Sequence, residues 1–80
     1  MIIYTRHAEE QLKFRDIPKK RVQLTVDKPD FIEKSRENKK IYYKNFGENY
    51  LRVILIKEKD MFIIITAHWI SPKKIIKIKK

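Results

Sequence analysis

The sequence predicts an α+β domain: two N-terminal helices packed on one face of a small, twisted antiparallel sheet of three to five strands. Three observations carry that expectation. Apolar residues in the first thirty positions recur at helical spacing, Ala8 with Leu12 and Val22 with Val26. After Asp30 the texture changes to aromatic and β-branched runs. Nothing repeats and no linker divides the 80 residues, so residues 1–80 read as one domain. A chain this short buries only about 60% of the surface its unfolded form exposes, which leaves room for a shallow cleft or an open sheet face.

Met1 to Tyr4 is short and apolar, an edge strand in this reading. Thr5 suits a helix N-cap, with Glu9 and Glu10 near the first turn where the helix dipole favours anions. Gln11 and Arg15 flank the face formed by Ala8 and Leu12, and the helix ends near Arg15 because Pro18 pushes Ile17 out of helical geometry. Pro18 fits the first position of a second helix, with Thr25 between Val22 and Val26, and Lys28-Pro29-Asp30 ends it. Strands follow at Ile41–Phe46, Tyr50–Ile56 and Met61–Trp69, the last two too apolar for one-sided strands and so partly covered on both faces. Phe31–Lys34 and Lys74–Ile78 are candidates for further strands. A hairpin loop centred on Glu58 and Lys59 sets Arg52 opposite Ile65 and Leu51 opposite Thr66. That register puts Tyr50, Arg52, Ala67 and Trp69 on one face, Thr66 and His68 on the other; a bulge would reverse the relation.

Net charge is +10, from 20 Lys plus Arg against 10 Asp plus Glu, which favours a polyanionic partner such as RNA or an acidic protein. Fifteen of those cations are Lys, a point charge rather than a planar fork, so sequence-specific base reading is not the first expectation. The absence of cysteine removes disulfides, thiolate nucleophiles and cysteine-based zinc sites, and two histidines alone make no case for a metal or other cofactor. The longest apolar run, Met61 to Ala67, is far short of a membrane span, and MIIYTRH is not a signal peptide. A cytoplasmic protein without a membrane association is expected.

The candidate catalytic residues are His7, Arg52, Thr66 and His68. His7 titrates near neutral pH and can serve as a general acid or base, or simply sit solvated on the first helical turn. Arg52 lies inside an apolar strand, where a cation is costly unless paired. It either forms an ion pair with Glu9, Glu10 or Glu33, or anchors a phosphate on an exposed face. Thr66 and His68 precede Trp69 at a strand end, a place to stack a base or hold a phosphate, and equally ordinary strand chemistry. The candidate nucleic-acid contacts are Arg6, Arg15, Lys40, Lys44, Trp69, Lys73 and Lys74. Tyr42, Tyr43, Phe46 and Tyr50 interleave with Lys39, Lys40 and Lys44, which suits single-stranded nucleic acid, although half of these aromatics must face the core. The tail PKKIIKIKK is a basic edge strand or a phosphate-tracking arm. Cutting RNA without a metal needs only a proton acceptor for the 2′-hydroxyl and positive charge around the phosphorane.

HAEEQLKFRDIP with Val22 and Pro29, then YLRV, then ITAHWISPKKI, resembles a set of small bacterial and archaeal proteins catalogued as a domain of unknown function. Those proteins have an HA…R-I start, an LRV strand and a T-A-[YW] strand. That family looks like a relative of the RelE/ParE toxin superfamily. The resemblance implies a toxin–antitoxin setting, an acidic antitoxin as partner, and a choice between metal-independent cleavage of RNA or ribosome-bound mRNA and inhibition of a protein target such as gyrase. His7, Arg52, Thr66 and His68 match the positions where nuclease members carry functional groups. The family pattern often has Gly before the isoleucine and Ser or Thr after it, where this chain has Asp16 and Pro18, and His68-Trp69 fills the position of the family Tyr or Trp.

Overall fold

The computed structural model describes the backbone of residues 1–79 and the side chains as far as Ile76. The elements run β1 (Ile2–Tyr4), α1 (Arg6–Phe14), α2 (Lys19–Asp27), β2 (Phe31–Lys34), β3 (Lys39–Asn45), β4 (Tyr50–Glu58), β5 (Met61–Ile70) and α3 (Pro72–Lys79). They build an α+β fold around one five-stranded sheet in the order β1-β5-β4-β3-β2. β2 to β5 form an antiparallel meander, as expected. β1 instead joins β5 in parallel, Ile3 beside Ile63, so the sheet is mixed. The meander leaves the outer edge of β5 open, and β1 takes it with Phe62 N donating to Met1 O (2.8 Å) and Thr5 N to Ile64 O (3.2 Å). α1 and α2 carry the chain from β1 at one edge of the sheet to β2 at the other. The parallel partners β1 and β5 are thus joined through both helices and three strands.

α1 starts and stops by side-chain and backbone capping. Thr5 Oγ1 accepts from Ala8 N at 3.0 Å, and Glu9 stands in the first turn. At its end Ile17 N donates to Leu12 O (2.8 Å) and Asp16 N to Lys13 O (3.3 Å), a Schellman motif with Ile17 and Leu12 both buried. That motif needs a left-handed residue, and Asp16 takes it at φ 55°. An L-residue there costs about 1 kcal/mol that glycine avoids. Asp16→Gly is therefore expected to raise stability by up to about 1 kcal/mol, read as a higher urea midpoint at unchanged slope.

α2 begins one residue later than expected. Pro18 is its N-cap, with φ −68° and ψ 140°, and its carbonyl accepts from Arg21 N at 3.0 Å. Val22, Thr25 and Val26 form the buried stripe, and Thr25 Oγ1 donates to Arg21 O (2.8 Å).

Two cores lie on opposite sides of the sheet. On one, Ala8, Leu12, Ile17, Val22 and Val26 pack against Tyr42, Leu51, Val53, Leu55, Ile64 and Ala67. On the other, Ile41, Tyr43 and Ile70 pack with Ile75 of α3. The segment Lys74–Ile78, expected as a strand, is helical, so the helices are not all N-terminal. Pro72 has a φ preset for a first helical position, and Ser71 O accepts from Lys74 N (3.1 Å) and Ile75 N (3.4 Å). The alternating isoleucines mimic a strand, but the second core captures Ile75 from a helix.

The β4–β5 hairpin turns through Lys59-Asp60, with Glu58 paired to Met61. Leu55 pairs with Ile64, but Ile54 pairs with Thr66, leaving Ile65 as the extra residue of a bulge. The expected register is thus overturned: Arg52 faces His68, not Ile65, and Leu51 faces Trp69. Both parity and partner change at one residue. The bulge delivers Arg52, Thr66 and His68 to the same face.

Candidate phosphodiester site

The face opposite α1 and α2 carries the densest chemistry. Arg52 stands directly across from His68 on β5 and from Tyr43 on β3, its guanidinium 5.9 Å from the Tyr43 ring centroid. Its Nε is buried with no hydrogen-bond partner among the described residues. The three acids that could pair with it are engaged elsewhere: Glu9 with Lys19 (3.1 Å), Glu10 with Arg6 (3.6 Å), and Glu33 with the Tyr43 hydroxyl, which donates to it at 2.6 Å. Burial and the bond to Glu33 push the Tyr43 hydroxyl up to about 12, so Tyr43 stays protonated and holds Glu33 away from Arg52. A buried donor with no acceptor is an invitation to an anion.

His68 is half-buried beside this arginine. Burial lowers its pKa from the ordinary 6.5, and the charges of Arg52, Arg15 and Lys74 lower it further. It is therefore neutral at neutral pH and able to accept a proton. Arg15, the exposed C-cap of α1, reaches the β5 edge, where its Nη1 donates to Ala67 O (2.8 Å) and Thr66 Oγ1 (3.3 Å). Three cations, a neutral imidazole and a hydroxyl so converge from α1, β4, β5 and α3.

The depressed His68 pKa has a thermodynamic consequence. The unfolded chain binds a proton near pH 6.5 that the folded chain resists, so folding stability is full above that range and falls as pH drops through it. Urea unfolding from pH 8 to pH 5 is expected to show this decline, and His68→Gln to flatten it. An unchanged pH slope in that variant would mean His68 titrates alike in both states.

The other sequence candidates spread around the molecule. His7 is exposed on the first turn of α1 and is not among the groups acting on His68. Arg6 is exposed and pairs with Glu10. Lys40 and Lys44 share the helix-side face of β3 with Tyr42, and Lys44 Nζ donates to Lys28 O at 2.9 Å. Lys73 is exposed on α3, and Trp69 lies on the helix side of β5. Tyr42 and Tyr43 are buried, so they offer no stacking face. Sequence reading missed the Tyr43–Glu33 bond and the guanidinium of Arg21 over the Phe46 and Trp69 rings. Arg15, expected beside the Ala8–Leu12 face, does reach the sheet, at Thr66 and Ala67.

Among the described residues no group of three or more His, Cys, Asp and Glu could hold a metal ion, and no helix is long and apolar enough to cross a membrane. The fold and site define a class: a small basic α+β domain in which an arginine whose Nε has no hydrogen-bond partner among the described residues faces a histidine of lowered pKa across the sheet. The chain belongs to the family described as a domain of unknown function, DUF4258, whose pattern matches residues 4–69. The match takes in both N-terminal helices, β2, β3 and β4 whole and all but the last residue of β5, and stops before α3, so Lys73 and Lys74 lie beyond it. No curated protein and no solved structure matches the chain.

Proposed function

We propose that the domain is a metal-independent endoribonuclease of the RelE-like kind, acting in a toxin–antitoxin system. The observation that carries this reading is Arg52 facing His68, with the arginine's Nε unpaired. In this mechanism Arg52, Arg15 and Lys74 bind the scissile phosphate and neutralise the phosphorane. His68 takes the proton of the 2′-hydroxyl as its oxygen bonds to phosphorus, and returns it to the 5′-oxygen as that bond breaks. Thr66 Oγ1 orients the phosphate from the same face. An acidic antitoxin covering the basic surface is the partner such a charge implies.

The test is cleavage of labelled single-stranded RNA, free and ribosome-bound, with a chelator present. Loss in His68→Gln with retention in His7→Gln supports the acid–base role on the sheet; the reverse moves it to α1. Salt-sensitive binding without any cut would favour a second reading, a non-catalytic basic module that uses the same three cations to bind nucleic acid or to inhibit a protein target such as gyrase.

A further inference from the structure

A second recognition element lies on the helix side of β5. The Arg21 guanidinium stands 5.0 Å from the Phe46 ring centroid and 5.5 Å from that of Trp69. The two rings meet edge to face at 6.0 Å and 87°. Together with Gly47, Glu48 and Asn49 they line an open cavity of about 620 Å³. The turn beneath it is braced: Phe46 N donates to Asn49 O (3.0 Å), Gly47 N to Asn45 Oδ1 (2.8 Å), and Asn45 N to Asp30 Oδ2 (2.6 Å). Gly47 adopts φ 100°, a left-handed conformation that glycine takes without strain, which lets the turn form one wall of the cavity. The site is preformed and sized like ordinary small-ligand pockets of roughly 300–1,000 Å³.

The geometry points to a nucleobase-stacking site for single-stranded RNA, built from Arg21, Phe46 and Trp69, with Glu48 and Asn49 as acceptors for a base's amino group. Paired aromatics alone would suit an organic cation. Here Arg21 already occupies the ring faces, and its charge within a +10 chain repels one. A flat neutral ring carried on a polyanion meets both demands: it stacks on the outer plane of the exposed Arg21 guanidinium, over the two rings, while its backbone is drawn by the surrounding charge. The Glu48 carboxylate is acceptor-only, which matches the exocyclic amino groups of bases and rejects a bare phosphate.

The site deepens the reading above and rests on it only for the identity of the polyanion. Trp69 follows His68 on β5 but points to the opposite face. Between the two runs the β5 edge beyond Ile64, which β1 does not pair and where Arg15 sits. A strand of RNA passing round that edge presents a base to Trp69 and a phosphate to His68. Base stacking would then set which linkage reaches the phosphodiester site.

Trp69 is the only tryptophan of the chain, so its fluorescence reports the site directly. The hexaribonucleotide r(AGAGAG) is expected to quench it, whereas linear polyphosphate of similar charge binds without quenching. Arg21→Lys keeps the charge and removes the plane. It is expected to weaken hexanucleotide binding by about 5- to 150-fold, the worth of one stacked base, and to leave polyphosphate binding unchanged. Phe46→Leu should do the same, with circular dichroism confirming its fold. Equal quenching by polyphosphate, no quenching at saturating RNA, or Arg21→Lys affinity within twofold of wild type would overturn the proposal. Arg52→Gln separates the two sites. If RNA cleavage persists in that variant while Arg21→Lys still loses quenching, the phosphodiester reading falls and the stacking site stands.

Discussion

Arg52→Met is expected to make the protein more stable and inactive at once. Its Nε is buried without a hydrogen-bond partner among the described residues, and Glu33 on β2 accepts from the Tyr43 hydroxyl. A buried unsatisfied donor costs about 1–3 kcal/mol, so an apolar side chain of similar length should recover a comparable amount. On the proposed mechanism the same change removes the charge that would meet a phosphorane, and the loss of one such stabilising group lowers a rate by about 100- to 1,000-fold. Urea unfolding and RNA cleavage on the same preparation check both halves. Loss of activity together with loss of stability would mean the arginine serves the fold instead. Arg52→Lys should rescue little activity, because an ammonium cannot offer the planar fork.

Leu55→Ala should produce the largest loss of stability. Leu55 is fully buried at the centre of the larger core, on β4 between β3 and β5. Such truncations cost about 2–5 kcal/mol, from lost transfer energy and the cavity left behind. A domain of 80 residues holds only roughly 4–12 kcal/mol in all. The variant is therefore expected to lose much of its stability, with Leu55→Met, which conserves volume, costing under about 1.5 kcal/mol. A midpoint shift of a few tenths molar urea for the alanine variant would contradict the packing described.

Local signals made much of this fold legible. The Thr5 cap, the Ala8–Leu12 and Val22–Val26 stripes and the meander strands each follow from nearby residues, and the structure has them. What could not be read depends on distant partners. Nothing in Met1–Tyr4 says that its mate is β5 or that the two run parallel. The isoleucines after Pro72 carry strand-like alternation, and only Ile41, Tyr43 and Ile70 explain why Ile75 comes from a helix. The bulge at Ile65 has no glycine or proline to announce it, yet it decides which face His68 joins. So Arg52 and His68 were visible as residue types, and their meeting was not. Arg21 was hidden differently, as one cation in a run of three, and only the turn at Phe46–Asn49 distinguishes it.

The parallel pairing of β1 with β5 also sets an order of events as the chain folds. The β2–β5 meander closes through contacts between neighbours in sequence, whereas Ile3 must find Ile63 across nearly the whole chain. Loop entropy makes such a closure late. During synthesis α1 and α2 emerge with Ala8, Leu12, Val22 and Val26 bare, because the strands that cover them are not yet made. Arg15 cannot reach Ala67, nor Arg52 face His68, until β5 is in place. The charged cluster thus assembles only after β5 has been made and has joined the sheet. Pulsed hydrogen exchange during refolding should find the Thr5 and Phe62 amides, which bridge β1 and β5, protected after those of the β3–β4 ladder.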